Sequence, residues 1–271
     1  MNAHQGWSQA AAATRVPADL AAWMPPGTSL VITRDIQRAL LLVPPIIEQG
    51  RIGLIDGPAG SGKSQLLGAV EAACPHRVVR ITAEGGDRSR ALDAMIHEKL
   101  TGHVATGTER SIERANSVEL GRAPTLLIVD EAQLVSTSAL LSFRRIMRDA
   151  ARPFGLLFAG IGMARHAKRD PSLLSRGSFT ITLERMSGQQ LLATLAAAHP
   201  LLAAAPHDVL LDADRVLCRG QWRTWMLLLE QHQNLHGTGT AVTRDSLALV
   251  LDAAHGLVLP ATATARRRSA S

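Results

Sequence analysis

The sequence predicts an α/β protein: a mostly parallel sheet flanked by helices, followed by a smaller, purely helical region. Three observations point there. Short, nearly all-apolar runs alternate with segments of helical spacing from Arg51 to Leu183. A glycine-rich segment joins the first apolar run to the helix behind it. After Glu184 the strand signals stop and only helical patterns remain. Continuous apolar strands separated by helices are the mark of a parallel sheet covered on both faces, with right-handed crossovers.

The elements follow in order. Arg51–Asp56 (RIGLID) is the first strand, ending at a Gly-Pro turn, and Ser64–Ala73 has helical spacing through Leu66, Leu67 and Val70. Arg77–Ala83 (RVVRITA) reads as the second strand. Ala91–Leu100 and Ser111–Leu120 read as helices, separated by the glycine-containing break Thr101–Gly107. Thr125–Asp130 (TLLIVD) is the third strand, Ser138–Ala150 a helix, Phe154–Gly160 the fourth strand and Ser178–Leu183 the fifth. Gln189–Ala198, Gln221–Gln233 and Arg244–Ala254 are helical, and Thr243 is placed to cap the last of them. The expected organisation is an N-terminal arm over 1–28, an α/β domain over 29–186, a helical lid over 187–258 and a basic disordered tail over 259–271. The arm carries Trp7 and Trp23 as isolated anchors, and the tail carries Arg266, Arg267 and Arg268.

Composition narrows the class. With 271 residues, 46% hydrophobic and 19% charged, the chain can bury roughly 70–75% of its unfolded surface, which excludes wholesale disorder. Aromatics are scarce, with four Trp, four Phe and no Tyr, so the core rests on Leu, Val, Ile and Ala. The net charge of +6 permits an anionic partner without demanding one. Cys74 and Cys218 lie far apart and form no metal-ligand spacing, as suits a reducing compartment. No basic segment leads into an apolar run at the N-terminus, and no apolar run reaches the ~18 residues of a membrane span, so a cytoplasmic protein is expected.

Two motifs carry chemistry. Gly57-Pro58-Ala59-Gly60-Ser61-Gly62-Lys63-Ser64 meets every fixed position of G-x-x-x-x-G-K-[ST], between a strand and a helix. Glycines there let several backbone N–H groups face one anion at the positive end of the helix. Lys63 can reach the outer phosphates of ATP, and the Ser64 hydroxyl can ligate Mg²⁺. The second motif is Asp130-Glu131 at the C-terminal end of an apolar strand, the edge where ligands gather in open α/β sheets. Asp130 is suited to hold the Mg²⁺ shell. Glu131 is suited to orient or deprotonate an attacking water, its alternative being a carboxylate that merely favours a helix N-terminus.

On these residues the chain resembles the AAA-plus ATPases, and within them the branch of transposon ATP-binding regulators of the TniB and MuB type, with secretion-ATPase and replication-initiator relatives. The resemblance runs from about Val31 to Leu251. It rests on Val31-Ile32-Thr33-Arg34 before a helix, on Gly57–Ser64, on Ile128–Gln133 ending Asp-Glu-Ala-Gln, and more weakly on Leu173–Arg176 and Gly220-Gln221-Trp222-Arg223. It implies that Arg176 reaches a neighbouring subunit's ATP as an arginine finger, that Arg223 senses the γ-phosphate from the lid, and that Gln133 relays nucleotide state. Arg144, Arg145, Arg165 and Arg169 compete for the first role, and a solvated surface arginine is the alternative for both Arg176 and Arg223. The family usually carries a polar residue at the end of the fourth strand, whereas Ile161, Gly162 and Met163 stand here. This departure implies slow hydrolysis, or a sensing role taken by another residue.

The resemblance also implies a homo-oligomer, a ring or helical filament on double-stranded DNA, that regulates transposition by selecting target DNA and recruiting a transposase, with or without an adaptor protein. A secretion or replication-initiator ATPase and a non-hydrolysing nucleotide-switched scaffold are the alternatives. No helix-turn-helix or zinc finger is present, so DNA contact would fall to Arg88, Arg90, Lys99, Arg110 and Arg114 between the second and third strands. The alternative there is a solvated helix face balanced by Asp87, Asp93, Glu98, Glu109 and Glu113.

Overall fold

The computed structural model describes residues 24–85, 89–165 and 177–260. Most of the arm, Asp87, Arg88, Arg169, the Leu173–Arg176 segment and the arginines of the tail lie outside them. The chain divides into two compact units. The first takes in Ile32–Ala59 and Lys63–Glu184, and the second takes in Gly60–Gly62, Arg185 onward and the lead-in up to Val31.

The first unit opens with α1 (Arg34–Gln49), capped by Thr33, whose side chain accepts from the Ile36 N–H, and closed by Gly50 in the left-handed region. Pro44 and Pro45 remove two donors from its middle, yet the helix continues because Ile36, Leu40, Val43 and Ile47 bury one stripe along both halves. Then come β1 (Ile52–Asp56), α2 (Lys63–Ala73), β2 (Arg77–Thr82), α3 (Ser89–Thr101), α4 (Glu109–Leu120), β3 (Thr125–Asp130), α5 (Thr137–Asp149), β4 (Gly155–Gly160) and β5 (Gly177–Thr182). Threonine and serine N-caps, Thr108 and Ser136, start α4 and α5.

All five strands pair in parallel in the order β2-β3-β4-β1-β5. Every residue of β3 and β4 is buried, as a sheet covered on both faces requires. One core cluster joins Leu54, Val129 and Phe158 of the sheet to Ile96, Leu120 and Phe143 of the helices, and the Phe143 and Phe158 rings meet edge-on at 5.5 Å. α1 packs against β1, β4, β5 and α2. Its approach to β4 depends on Gly155, where a Cβ would sit 3.0 Å from the Ile47 backbone nitrogen.

The carboxylates expected on a solvated α3–α4 face are partly misread by sequence: Asp93 and Glu113 are buried. They serve the packing of three helices. Ser142 Oγ of α5 donates to Asp93 Oδ2 at 2.8 Å, and Asn116 Nδ2 of α4 donates to the Asp93 carbonyl at 2.8 Å. Arg145 of α5 grips both Glu113 oxygens through Nε, at 3.1 and 3.0 Å.

The second unit contains α6 (Gly188–Ala198), α7 (Pro200–Ala203), α8 (His207–Ala213), a π-helical turn over Asp214–Cys218, α9 (Trp222–His236) and α10 (Arg244–His255). Its own core joins Leu191, Leu195, Leu210, Trp225, Leu229 and Leu251. Thr243 caps α10 in a reciprocal capping box with Ser246. Asp214 fixes the turn before α9 by accepting from the Gly220 N–H at 2.7 Å and from Trp225 Nε1 at 3.0 Å. Both cysteines are free thiols. Among the described residues no helix is long and apolar enough to cross a membrane.

The buried carboxylates give a signed pH dependence. Burial raises Asp93 from 3.8 to about 7, outweighing the Ser142 hydrogen bond, with Glu113 adding to the rise. Burial also pushes Glu113 upward, but the hydrogen bonds from Arg145 and Ser142 prevail and leave it below its ordinary value. Stability from Asp93 is therefore full below its unfolded pKa and lost as pH rises through about 7. Glu113 is ionised in both states above pH ~5, so it contributes no slope there. We expect the Tm of the wild-type protein, minus that of Asp93→Asn, to fall between pH 5 and pH 8 in thermal melts. A difference independent of pH would contradict this assignment.

Candidate functional site

Strand order assembles the site. In register, Asp56 of β1 stands opposite Gly160 of β4, and Val129 of β3 stands opposite Phe158. The C-terminal ends of β1, β4 and β3 therefore share one edge of the sheet. β3 and β1 are separated only by β4, about 10 Å by strand spacing. The Gly57–Ser64 loop leaves from β1 and Asp130-Glu131 from β3, so sequence positions 67 residues apart (Lys63 to Asp130) meet at the same edge.

Gly60 and Gly62 both take positive φ, 74° and 96°, which turns the backbone in the way an anion-binding loop needs. Lys63 opens α2 and is buried, and its Nζ donates to the Gly57 carbonyl at 2.8 Å and to the Pro58 carbonyl at 3.0 Å. The Ser61 hydroxyl is buried without a hydrogen-bond partner. A loop with two left-handed glycines, an unsatisfied hydroxyl and an ammonium resting on its own carbonyls suits a polyphosphate. Pro58 and Ala59 complete the loop, and Ser64 follows on the first turn of α2.

At the end of β3 both oxygens of Asp130 are engaged. Oδ1 accepts from the Glu131 N–H at 2.9 Å, and Oδ2 lies 2.7 Å from Arg80 Nη2. Arg80 projects from β2 and also holds Glu71 of α2 at 2.9 Å. Burial opposes the Arg80 charge, but Asp130 and Glu71 outweigh it and hold the guanidinium above its ordinary pKa. Hard oxygen donors, the Ser64 hydroxyl and the Asp130 carboxylate, fit Mg²⁺ by type, and a cation there would share Asp130 with Arg80. Glu131 has φ 51°, a left-handed conformation that bulky residues rarely adopt. Gln133 Nε2 donates to Glu131 Oε2 at 2.5 Å.

Asp56 was legible only as a strand end. Its carboxylate accepts three backbone N–H groups beyond β4: Gly162 at 2.7 Å, Met163 at 3.2 Å and Ala164 at 3.1 Å. Arg80 was likewise missed, and its signal was available: a charged residue inside the otherwise strand-like RVVRIT.

The remaining expected residues are spread out. Arg176 and Arg88 lie outside the described residues. Arg223 is exposed at the start of α9. Arg90, on the first turn of α3, donates to the Gly107 carbonyl at 2.8 Å just ahead of α4, whose first turns carry Arg110 and Arg114. Arg110 pairs with Glu113 at 3.1 Å, and Arg114 is exposed. Lys99 is exposed near the far end of α3, about 13 Å along the helix axis from Arg90.

Replacing Arg80 with Met leaves Asp130 and Glu71 without their shared cation in a mostly buried place, at a cost of about 3 kcal/mol. Arg80→Met should melt several degrees below wild type, and Mg²⁺ with ATP should raise its Tm by more than it raises the wild-type Tm. An equal ligand-induced shift in both proteins would show that Arg80 and the cation do not share Asp130.

Comparison with known proteins agrees with this architecture. Residues 47–167 match the family model described as AAA domain. The ORC2 protein of Aeropyrum pernix, solved in ADPNP-ADP complexes, superposes with a TM-score of 0.65 at 15% identity, covering 92% of this chain and 73% of that one. The ADP form of the same protein gives 0.62 at 16% identity, covering 84% and 70%. The Thermotoga maritima RuvB Holliday junction branch migration motor gives 0.55 at 14% identity, covering 88% and 72%. No curated protein matches the sequence. The fold is a P-loop AAA+ fold, a five-stranded parallel sheet between helices with a helical C-terminal region.

Proposed function

We propose that this chain binds ATP with Mg²⁺ at the edge formed by β1, β4 and β3, and hydrolyses it slowly. The ATP-bound form then assembles as a homo-oligomer on duplex DNA to regulate transposition, delivering target DNA to a transposase. The observation that carries the nucleotide part is the convergence of the Gly57–Ser64 loop and Asp130-Glu131 on one sheet edge. The transposition part rests on the resemblance to that regulator branch carried by Val31–Arg34, Gly57–Ser64 and the Asp-Glu-Ala-Gln run, and more weakly by Leu173–Arg176 and Gly220–Arg223.

In this reading the loop amides and the Lys63 ammonium bind the phosphates, Lys63 exchanging the Gly57 and Pro58 carbonyls for phosphate oxygens. Ser64 and Asp130 would hold Mg²⁺, which when bound neutralises phosphate charge. Glu131 orients the attacking water. Arg176 and Arg223 are proposed to complete the site, since a fixed-charge planar fork suits developing phosphate charge. Arg88, Arg90, Lys99, Arg110 and Arg114 are proposed to face DNA phosphates, with the Arg110–Glu113 pair limiting what Arg110 offers. A nucleotide-switched scaffold without turnover is the second reading, favoured by the apolar Ile161 beyond β4.

Lys63→Ala should weaken binding of a fluorescent ATP analogue by about 100-fold or more, and Glu131→Gln should bind normally but lose about 100-fold or more in turnover. Unchanged binding in the first variant, or normal turnover in the second, would remove those roles. No turnover by the wild-type protein, with or without DNA, would select the scaffold. Filter binding to duplex DNA with ATP should weaken steeply with salt, by a slope of about −0.9 per phosphate contacted. Absent or salt-insensitive binding would defeat the DNA reading.

A further inference from the structure

The polar contacts around Glu131 form a continuous chain that the hydrolysis scheme above does not use. Gln133 lies in the 3-10 turn Ala132–Leu134 directly after Glu131. Its side-chain amide faces two ways. Nε2 donates to Glu131 Oε2 at 2.5 Å, while Oε1 accepts the Ile161 N–H at 2.9 Å. The backbone N–H fixes which end of the amide is oxygen, so the NH₂ end is left for the carboxylate.

Two further features are shaped around this amide. Gly160, the last residue of β4, has no side chain where one would run into Gln133 Oε1, and its Cβ would also lie 3.0 Å from the Gln133 nitrogen. Glu131 is held in its left-handed conformation on either side, its N–H by Asp130 Oδ1 at 2.9 Å and its carbonyl by the Leu134 N–H at 2.9 Å. A backbone conformation of this kind is strained and persists only where the surroundings fix it. Beyond Ile161, the next three amides are clamped by Asp56, the residue immediately before the phosphate loop. The Gly57 N–H donates to the Gly160 carbonyl at 3.3 Å.

We propose that Gln133 is the positioning residue for Glu131: through the Ile161 amide it ties the Glu131 carboxylate to the end of β4, and through Asp56 to the root of the phosphate loop. The position beyond β4 carries an apolar side chain, but its backbone N–H supplies the polar group, and Gln133 carries that anchor across to the carboxylate. This inference rests on the proposed role of Glu131 in ATP hydrolysis and adds the group that holds it.

Two readouts test it. The first needs no nucleotide. In the wild-type protein the Ile161 amide should be protected from hydrogen exchange, and Gln133→Ala should release it while the Gly162, Met163 and Ala164 amides stay protected by Asp56. An Ile161 amide that exchanges equally fast in both proteins would overturn the geometry. The second is steady-state ATP hydrolysis alongside titration of a fluorescent ATP analogue. Gln133→Ala should lower kcat by about 10–100-fold, the scale of a small misplacement of a catalytic group, with analogue affinity within about twofold of wild type. In a Glu131→Gln background the same substitution should cost nothing more, because its target is gone. Gly160→Ala, which crowds the amide from the other side, should reproduce the kcat loss. Gln133→Glu, which sets a second carboxylate against Glu131, should be as slow as Gln133→Ala. An active wild type with an equally active Gln133→Ala, or a Gln133→Ala defect that persists undiminished in the Glu131→Gln background, would overturn the positioning role alone. Wild-type protein that binds ATP without turning it over would instead refute the role of Glu131 on which the inference stands.

Discussion

The parallel pairing of β4 between β3 and β1 is the constraint on which the rest of the structure depends. It places the ends of three strands at one edge, so that Asp56, Asp130 and Gly160 become neighbours by backbone hydrogen bonding alone. Parallel strands expose the positive ends of their following helices and turns at their C-terminal edge, which suits that edge to anions. With β1 and β3 paired directly, no backbone segment would lie between loop root and carboxylates, and Gln133 would have nothing on which to anchor.

A second feature is how completely the charged groups of this edge are partnered. Lys63 rests on loop carbonyls, and Arg80 joins Asp130 to Glu71. Charges removed from water need such partners, since an isolated buried charge costs far more than a paired one. Under the proposed function, phosphate and metal would bind by exchange of partners rather than by filling a bare site. The same rule explains Glu113, buried where Arg145 meets it, while Asp93, met by the Ser142 hydroxyl, is driven by burial toward its neutral form. Both carboxylates read as surface groups in one dimension, because their partners lie 49 and 32 residues further on.

The second unit shows the same principle on a smaller scale. Asp214 closes a π-helical turn, accepts from Gly220 and Trp225, and so fixes the start of α9 on which Arg223 stands. Arg219 and Gly220 are both left-handed there, and Gly220 is a necessity, because a Cβ would strike the Met186 backbone. A tightly determined turn holding an exposed arginine is a feature of position, and its chemistry depends on what approaches it.

Much of the fold was legible from local pattern. The strands over Thr125–Asp130 and Gly155–Gly160 follow directly from apolar runs, the strand over Arg77–Thr82 from its β-branched residues despite Arg80, and Thr243 could be recognised as a cap from its place before a helical stripe. The phosphate loop is legible because its glycines and lysine are required at fixed spacing by backbone geometry within a few residues. What the sequence could not supply is which strand lies beside which, and therefore every contact that crosses strands. Arg80 on Asp130, Asp56 on the amides beyond β4, and Gln133 on Ile161 span 50, 106 and 28 residues in their pairings, and local pattern carries no information at that range. The sequence by itself determined the pieces and their chemistry. Only the tertiary structure decided their partners, because hydrogen bonds and ion pairs act over about 3 Å in space whatever the distance along the chain.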